Sequence, residues 1–511
     1  MRPPLLLGIG FSPRRFCSAS RRCFSSQFPH WSSATASRKR RANREVGTLA
    51  SEPDGKAAAL GSLAALYPWM RPFHARPVCD YASRLFDPPA SRTQPEFRIQ
   101  ALHKLLALIR KAAIRNGIPD GTAGEMCRDF EQRRVLQTGP HLLLIPEPEA
   151  FYTHIFSLLG LSSHGCSSYV SYAVSTVSLV ERARKGPGWL SIGGKAINVF
   201  GLSRSRMIGY GLLTGLGPYQ FDLMPAGADG QSEALQELRD LLPTAQFERP
   251  AHAIKAANQV LWPAMFCKRC TFLQLDDEDI ADLVADHLAD DASWLRTRLL
   301  ENQKVASGLV EGIDHLATGP WAGWLARGTD FFWSYENGKR VPLRLEGRKL
   351  VRHPTGAKVV RFTASEIAAR LLDRSLIPNM LLAFLVLAML PGVRVLGGVR
   401  QPIYYPLMRY IVCRAVEIAG IDHDLRHALA VDDLPGAWGH RVIEGSRHPF
   451  DLLTEAGSSG ISDMIDVLAQ VTLTEACGNM AGFVSDPAWS ELRKRIEAKA
   501  VSVTDPEWAF T

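Results

Sequence analysis

VRVLGGVRQPIYY, residues Val393–Tyr405, runs from a short apolar segment into the paired glycines Gly397 and Gly398, and then into Arg400, Gln401, Tyr404 and Tyr405. A short apolar run bounded by glycine reads as a strand buried in a sheet. The glycines let a ligand approach the main chain, and Arg400 offers a planar fork for a carboxylate or phosphate. A second stretch is built the same way. Val135 and Leu136 lead through Gln137 into Thr138-Gly139-Pro140-His141, so a turn with free main-chain N–H groups and an imidazole follows an apolar strand. In open α/β sheets, ligands sit where such turns leave the carboxyl ends of parallel strands. The plain alternative for each stretch is a tight turn whose polar groups satisfy one another.

Working outward, Ile99, Leu102, Leu105, Leu106, Ile109, Ala113 and Ile114 recur at helical spacing, which predicts a helix over Glu96–Asn116 that stops at Gly117. Leu142–Ile145 reads as a second buried strand, Phe151–Leu159 as a helix and Tyr169–Val180 as β-rich. Glycines and prolines punctuate 185–217. The stretch 232–312 reads as helical, with Asp276, Asp277, Glu278 and Asp279 at a helix start, where carboxylates complement the dipole. Glu336-Asn337-Gly338-Lys339 is a hairpin signal. Leu376–Leu390 is the most apolar stretch, and its uninterrupted part, Met380–Leu390, is 11 residues long and too short to span a bilayer, so it reads as a buried helix. The chain divides into a basic leader (1–44), a loosely structured lead-in (45–94), a first part of an α/β core (95–230), a helical insertion (231–315), a second part of the core (316–410) and a C-terminal helical region (411–511).

The 511 residues carry a formal charge of +8, but ten Lys and Arg with no acid fall within residues 1–44, which leaves −2 for the rest. A duplex binder gathers its cations on a folded surface, and none is visible past residue 44, so no nucleic-acid partner is expected. No membrane association is expected either. Nine scattered cysteines in a chain with ample core read as free thiols of a reducing compartment. The cytoplasm is the expected location, or the mitochondrial matrix if the Arg- and Ser-rich leader is a transit peptide.

Weaker motifs fall away on spacing. Gly188–Lys195 misses a phosphate loop by one residue and has Ala196 where a hydroxyl is needed; a Gly-rich hairpin is the better reading. Cys267 and Cys270 have no second pair with which to complete a zinc site. His423 and His427 stand one helical turn apart, as in zinc hydrolases, but Asp424 is one methylene too short for the catalytic Glu. A solvated pair is the better reading there, and no metal is expected.

Val135–His141 and Leu390–Tyr405 together resemble the strand-and-turn segments of the bacillithiol synthase group, the cysteine-adding ligases. The resemblance covers about thirty residues, and Pro140 and His141 depart from the group's usual pair. It implies a Rossmann-like parallel-sheet core that binds a nucleotide cofactor and a small carboxylate substrate and forms a C–N bond. On that reading His141 is catalytic and Thr138, Gly139, Gly397, Gly398, Arg400, Gln401 and Tyr404 bind substrate. Lys195, Arg204 and Arg206 neutralise phosphate. Two alternatives stand beside it: a non-catalytic ligand-binding protein of the same fold, and a metal-dependent hydrolase built on His423 and His427.

Overall fold

The computed structural model describes residues 52–89, 94–181, 184–226, 233–266, 269–357, 359–421, 423–445 and 447–509. The leader 1–44 and Cys267 lie outside these residues.

Five strands form a wholly parallel sheet: β1 (Val135–Gln137), β2 (Ser168–Tyr172), β6 (Thr271–Leu275), β12 (Arg394–Gly397) and β13 (Ala437–Trp438). Their spatial order is β13-β12-β1-β2-β6. The chain starts in the middle at β1, builds outward through β2 to β6, and then returns to lay β12 and β13 on the other side. The direction of winding therefore reverses between β1 and β12, whose registers match Val135 to Arg394 and Gln137 to Leu396. All of β1, β2 and β12 is buried, as a parallel sheet with helices on both faces requires.

Two insertions interrupt the winding. Between β2 and β6 lies a small antiparallel sheet of β3 (Trp189–Ile192), β4 (Lys195–Asn198) and β5 (Met224–Pro225). Gly193 and Gly194, both at positive φ, make the β3–β4 turn, so the Gly-rich segment is a hairpin. Between β6 and β12 lies a five-stranded antiparallel sheet of β7 (Phe332–Glu336), β8 (Lys339–Glu346), β9 (Lys349–Arg352), β10 (Val359–Arg361) and β11 (Leu376–Pro378), in the order β10-β9-β8-β7-β11. Asn337 and Gly338 both take positive φ at the β7–β8 turn, the conformation a two-residue hairpin with that sequence demands.

The predicted helix over Glu96–Asn116 is present as Glu96–Arg115, with Gly117 at φ 80° beyond it. Several expectations need correction. The lead-in is not loose: helices Glu52–Leu66 and Val78–Phe86 bury Leu63, Tyr81 and Leu85 completely. Leu142–Ile145 is buried but forms no strand; a parallel bridge pairs the neighbouring His141 with Val174. The β-rich stretch shortens to Ser168–Tyr172, the helical insertion contains β6, and the apolar stretch at 376 begins as strand β11 before turning helical at Met380. Among the described residues no helix is long and apolar enough to cross a membrane.

Candidate functional site at the β1–β12 switch

Both glycine turns leave the sheet side by side. The Thr138 amide donates to the Leu396 carbonyl at 2.9 Å and its hydroxyl to the same oxygen at 3.1 Å. Gln401, in the first turn of helix Gln401–Ile418, donates from Nε2 to Thr138 Oγ1 at 2.7 Å, and the Tyr404 hydroxyl donates to Gln401 Oε1 at 3.2 Å. A Cβ added to Gly397 would stand 2.3 Å from Gln401 Cβ, and one added to Gly139 would stand 2.1 Å from His440 Cβ. The glycines thus admit protein side chains, Gln401 and His440, at closest approach. Thr138, Gly139, Gly397, Gly398, Gln401 and Tyr404 form one cluster.

His440 enters from the third strand end. The carbonyl of Gly397 accepts from the amides of Gly439 (3.1 Å) and His440 (2.9 Å), which fixes the turn after β13 against the turn after β12. Gln137 ties the same turn to β1: its Nε2 donates to the Gly439 carbonyl at 2.8 Å and to Ser157 Oγ at 3.1 Å, while its Oε1 accepts from the Gly139 amide at 3.0 Å. Thr153 gives its single hydroxyl proton to the Glu149 carbonyl (2.7 Å) and accepts from the Arg441 amide (3.1 Å). The 2.8 Å contact between Thr153 Oγ1 and His440 Nδ1 is then donated by the imidazole, which puts the lone pair on Nε2. Burial, aided by the charge of Arg441, holds His440 well below the usual histidine range, so this tautomer is neutral at physiological pH.

His141 lies at the rim, half-exposed, with Nδ1 2.5 Å from Glu181 Oε1. Partial burial works to lower its pKa, but the hydrogen bond and charge of Glu181, with Glu149 and Asp277 beyond, outweigh it and hold the imidazolium above its ordinary range. Glu147 precedes helix Pro148–Ser163, and burial together with repulsion from Glu149 pushes its carboxyl up to about 7. Two groups with shifted proton affinity, His141 raised by Glu181 and Glu147 raised by burial, thus follow β1 in the chain. Alongside, a cavity of about 180 Å³ is walled by Glu149, Tyr152, Val399, Arg441 and Glu444, with Met480 and Phe483 as its apolar side. Arg441 forms an ion pair with Glu149.

The remaining expected site residues lie on other elements or are engaged by other partners. Arg400 spends its fork on Asp486, with Nε–Oδ2 at 2.6 Å and Nη2–Oδ1 at 2.8 Å. Lys195 begins β4, and Arg204 and Arg206 belong to the short helix Arg204–Gly209. Arg206 donates to the Leu216 carbonyl and lies over the Tyr210 ring, which commits it to its own loop. His423 and His427 are exposed, and among the described residues no group of three His, Cys, Asp or Glu side chains gathers as metal ligands.

Gln137, Glu147, Glu149, Thr153, Glu181, His440 and Arg441 were not singled out from sequence. The signal closest to His440 is the pair Gly436 and Gly439 bracketing Ala437–Trp438, which marks a two-residue strand too short for any periodicity to reveal. Compared with known proteins, the chain matches no family model and no curated sequence.

Proposed function

We propose that this chain is a small-molecule transferase or ligase of Rossmann-like architecture that forms a C–N bond on a carboxylate-containing substrate at the mouth between β1 and β12. One observation carries the reading: the Thr138–Gly139 and Gly397–Gly398 turns meet at the carboxyl ends of adjacent parallel strands where the winding reverses. The partial resemblance of Val135–His141 and Leu390–Tyr405 to the bacillithiol synthase group points the same way.

In this reading a nucleoside triphosphate first converts the substrate carboxylate to an acyl phosphate or acyl adenylate; the amine nitrogen of the other substrate then attacks the carbonyl carbon, and phosphate or nucleoside monophosphate departs with the bonding pair. The proton lost by the amine passes to His141 in its neutral form, whose proton affinity Glu181 raises, and from there to the leaving group. Gln401, Tyr404 and the neutral His440 orient substrate by hydrogen bonds, and Arg441 meets a carboxylate in the 180 Å³ cavity. Glu147 and Glu149 at the start of helix Pro148–Ser163 oppose a phosphate there.

A second reading, a non-catalytic binder of the same fold, is favoured by one fact: Asp486 already occupies the fork of Arg400. A thermal-shift screen of amino acids, small carboxylates and nucleotides, followed by mass spectrometry of each stabilising pair, separates the two. The ligase reading expects a stabilising ligand whose effect is lost in Arg441→Ala, and a condensation product that His141→Ala fails to make. Stabilisation with no product in the native chain supports the binder. Ligands that stabilise native protein and Arg441→Ala equally place binding elsewhere and overturn both.

A further inference from the structure

The opposite, amino-terminal edge of the parallel sheet holds a second concentration of charge. Arg394 opens β12 and Arg134 immediately precedes β1, and between them lies a cavity of about 30 Å³ walled by Arg133, Arg134, Arg394, Arg409, Tyr405, Asp432 and Asp433. Four guanidinium groups face two carboxylates. Each of those carboxylates is also shared with a further arginine: Asp432 takes both Nη atoms of Arg98 at 2.8 Å, and Asp433 takes Arg84 at 3.0 Å. Asp433 reaches Arg394 Nη2 only at 3.4 Å, and Asp432 reaches Arg409 at 3.7 Å.

Arg394 and Arg409 are buried, whereas Arg133 and Arg134 are partly exposed at the rim of the cavity. The Arg394 and Arg98 side chains are 5% and 4% exposed, and among the described residues the Nε of each is buried with no hydrogen-bond partner. Burial depresses the Arg394 pKa, against the opposing pull of the Asp433, Asp87 and Asp432 carboxylates and with a further push from Arg84. Arg394 Nη1 donates to the Leu85 and Asp87 carbonyls at 2.6 and 2.9 Å, so the donor that remains without an acceptor is its Nε, and a buried N–H left in that state is costly. A cavity of this size has room for one or two water-sized species. Water satisfies a donor but leaves the excess charge. A small anion does both.

We propose that this cavity is a binding site for a chloride-sized monovalent anion, held by Arg394 and Arg134 against the tyrosine ring of Tyr405. Bound there, the ion neutralises the arginines at the starts of β1 and β12, of which Arg394 ties its strand to the Leu85 and Asp87 carbonyls, and so stabilises the sheet from the end remote from the glycine turns.

The test is the melting temperature of the full chain in sodium chloride and in sodium gluconate at equal ionic strength. Gluconate is too large for the cavity. The expected result is a rise in Tm of about 2 °C in chloride that saturates with concentration. Arg134→Gln should abolish the difference and Arg134→Lys, which keeps the charge, should retain much of it. Equal melting in the two salts, or a full chloride response in Arg134→Gln, overturns the proposal. If Arg134→Gln does not fold, crystals of the native chain soaked in bromide decide the matter: an anomalous peak between Arg394 and Arg134 supports the site, and an empty cavity sinks it.

Discussion

Gly139 tests the site most directly at the scale of single residues. Its missing Cβ would stand 2.1 Å from His440 Cβ, an atom tied to the main chain that no rotamer change can move away. Gly139→Ala is therefore expected to lose about 2 kcal/mol in urea unfolding. Gly61→Ala, in helix Glu52–Leu66 with nothing within 4 Å of the new methyl, is expected to gain about 0.5–1 kcal/mol in the same assay. A Gly139→Ala chain as stable as native would mean that His440 does not fill the notch. At this scale the sequence spoke clearly where chemistry and backbone coincide: Thr138, Gly139, Gly397 and Gly398 announce a turn after a strand, and the structure joins them. It was silent on His440 and Thr153, because what matters there is a 2.8 Å contact across 287 residues, and no local pattern encodes that. For Arg400 the residue type suggested a free anion clamp, and Asp486, 86 residues later, supplies a carboxylate from within the chain.

Among the elements, β1 is only three residues long, yet it sits at the centre of the parallel sheet, and its ladder alone gives it few bonds. Gln137 makes up the difference by linking β1 to the turn after β13, to the turn at Gly139 and to helix Pro148–Ser163. Gln137→Leu keeps the volume but strands the Gly439 carbonyl and the Gly139 amide in a buried site. The expected loss is about 2–4 kcal/mol by urea unfolding, with amide exchange at Gly139 accelerated beyond what global unfolding explains. A loss no larger than a surface substitution would show that the strand does not depend on this side chain. Elements with strong local signals were legible: the helix at Glu96, the Asn337–Gly338 hairpin, β1 and β12. The strand β6 was hidden, because Thr271–Leu275 is a short apolar run between two strong helices and periodicity alone assigns such a run to either neighbour. Leu142–Ile145 shows the converse, an apolar run buried by tertiary packing without a strand to pair with.

Over the whole molecule, stability must vary with pH in a way that buried titratable groups impose. His154 and His287, both driven down to about 3 by burial, and His440, also driven low by burial, are neutral when folded and take up protons when unfolded. Below about pH 6.5 the unfolded state thus binds more protons, and these three groups make stability fall as pH falls. Glu147 acts in the opposite sense. Its folded carboxyl is raised from 4.5 to about 7, so the folded state holds the extra proton between those values, and stability falls as pH rises through that window. The full shift corresponds to at most about 3 kcal/mol, reduced by the partial exposure of the carboxyl. Glu147→Gln removes this contribution and leaves the histidines in place, so subtracting the native curve from the variant curve isolates it. Denaturant unfolding at intervals from pH 4.5 to 8 should show the variant gaining on the native chain up to about pH 7 and holding a constant lead beyond. A difference that stays flat across the range would mean that the Glu147 carboxyl is not raised in the folded state.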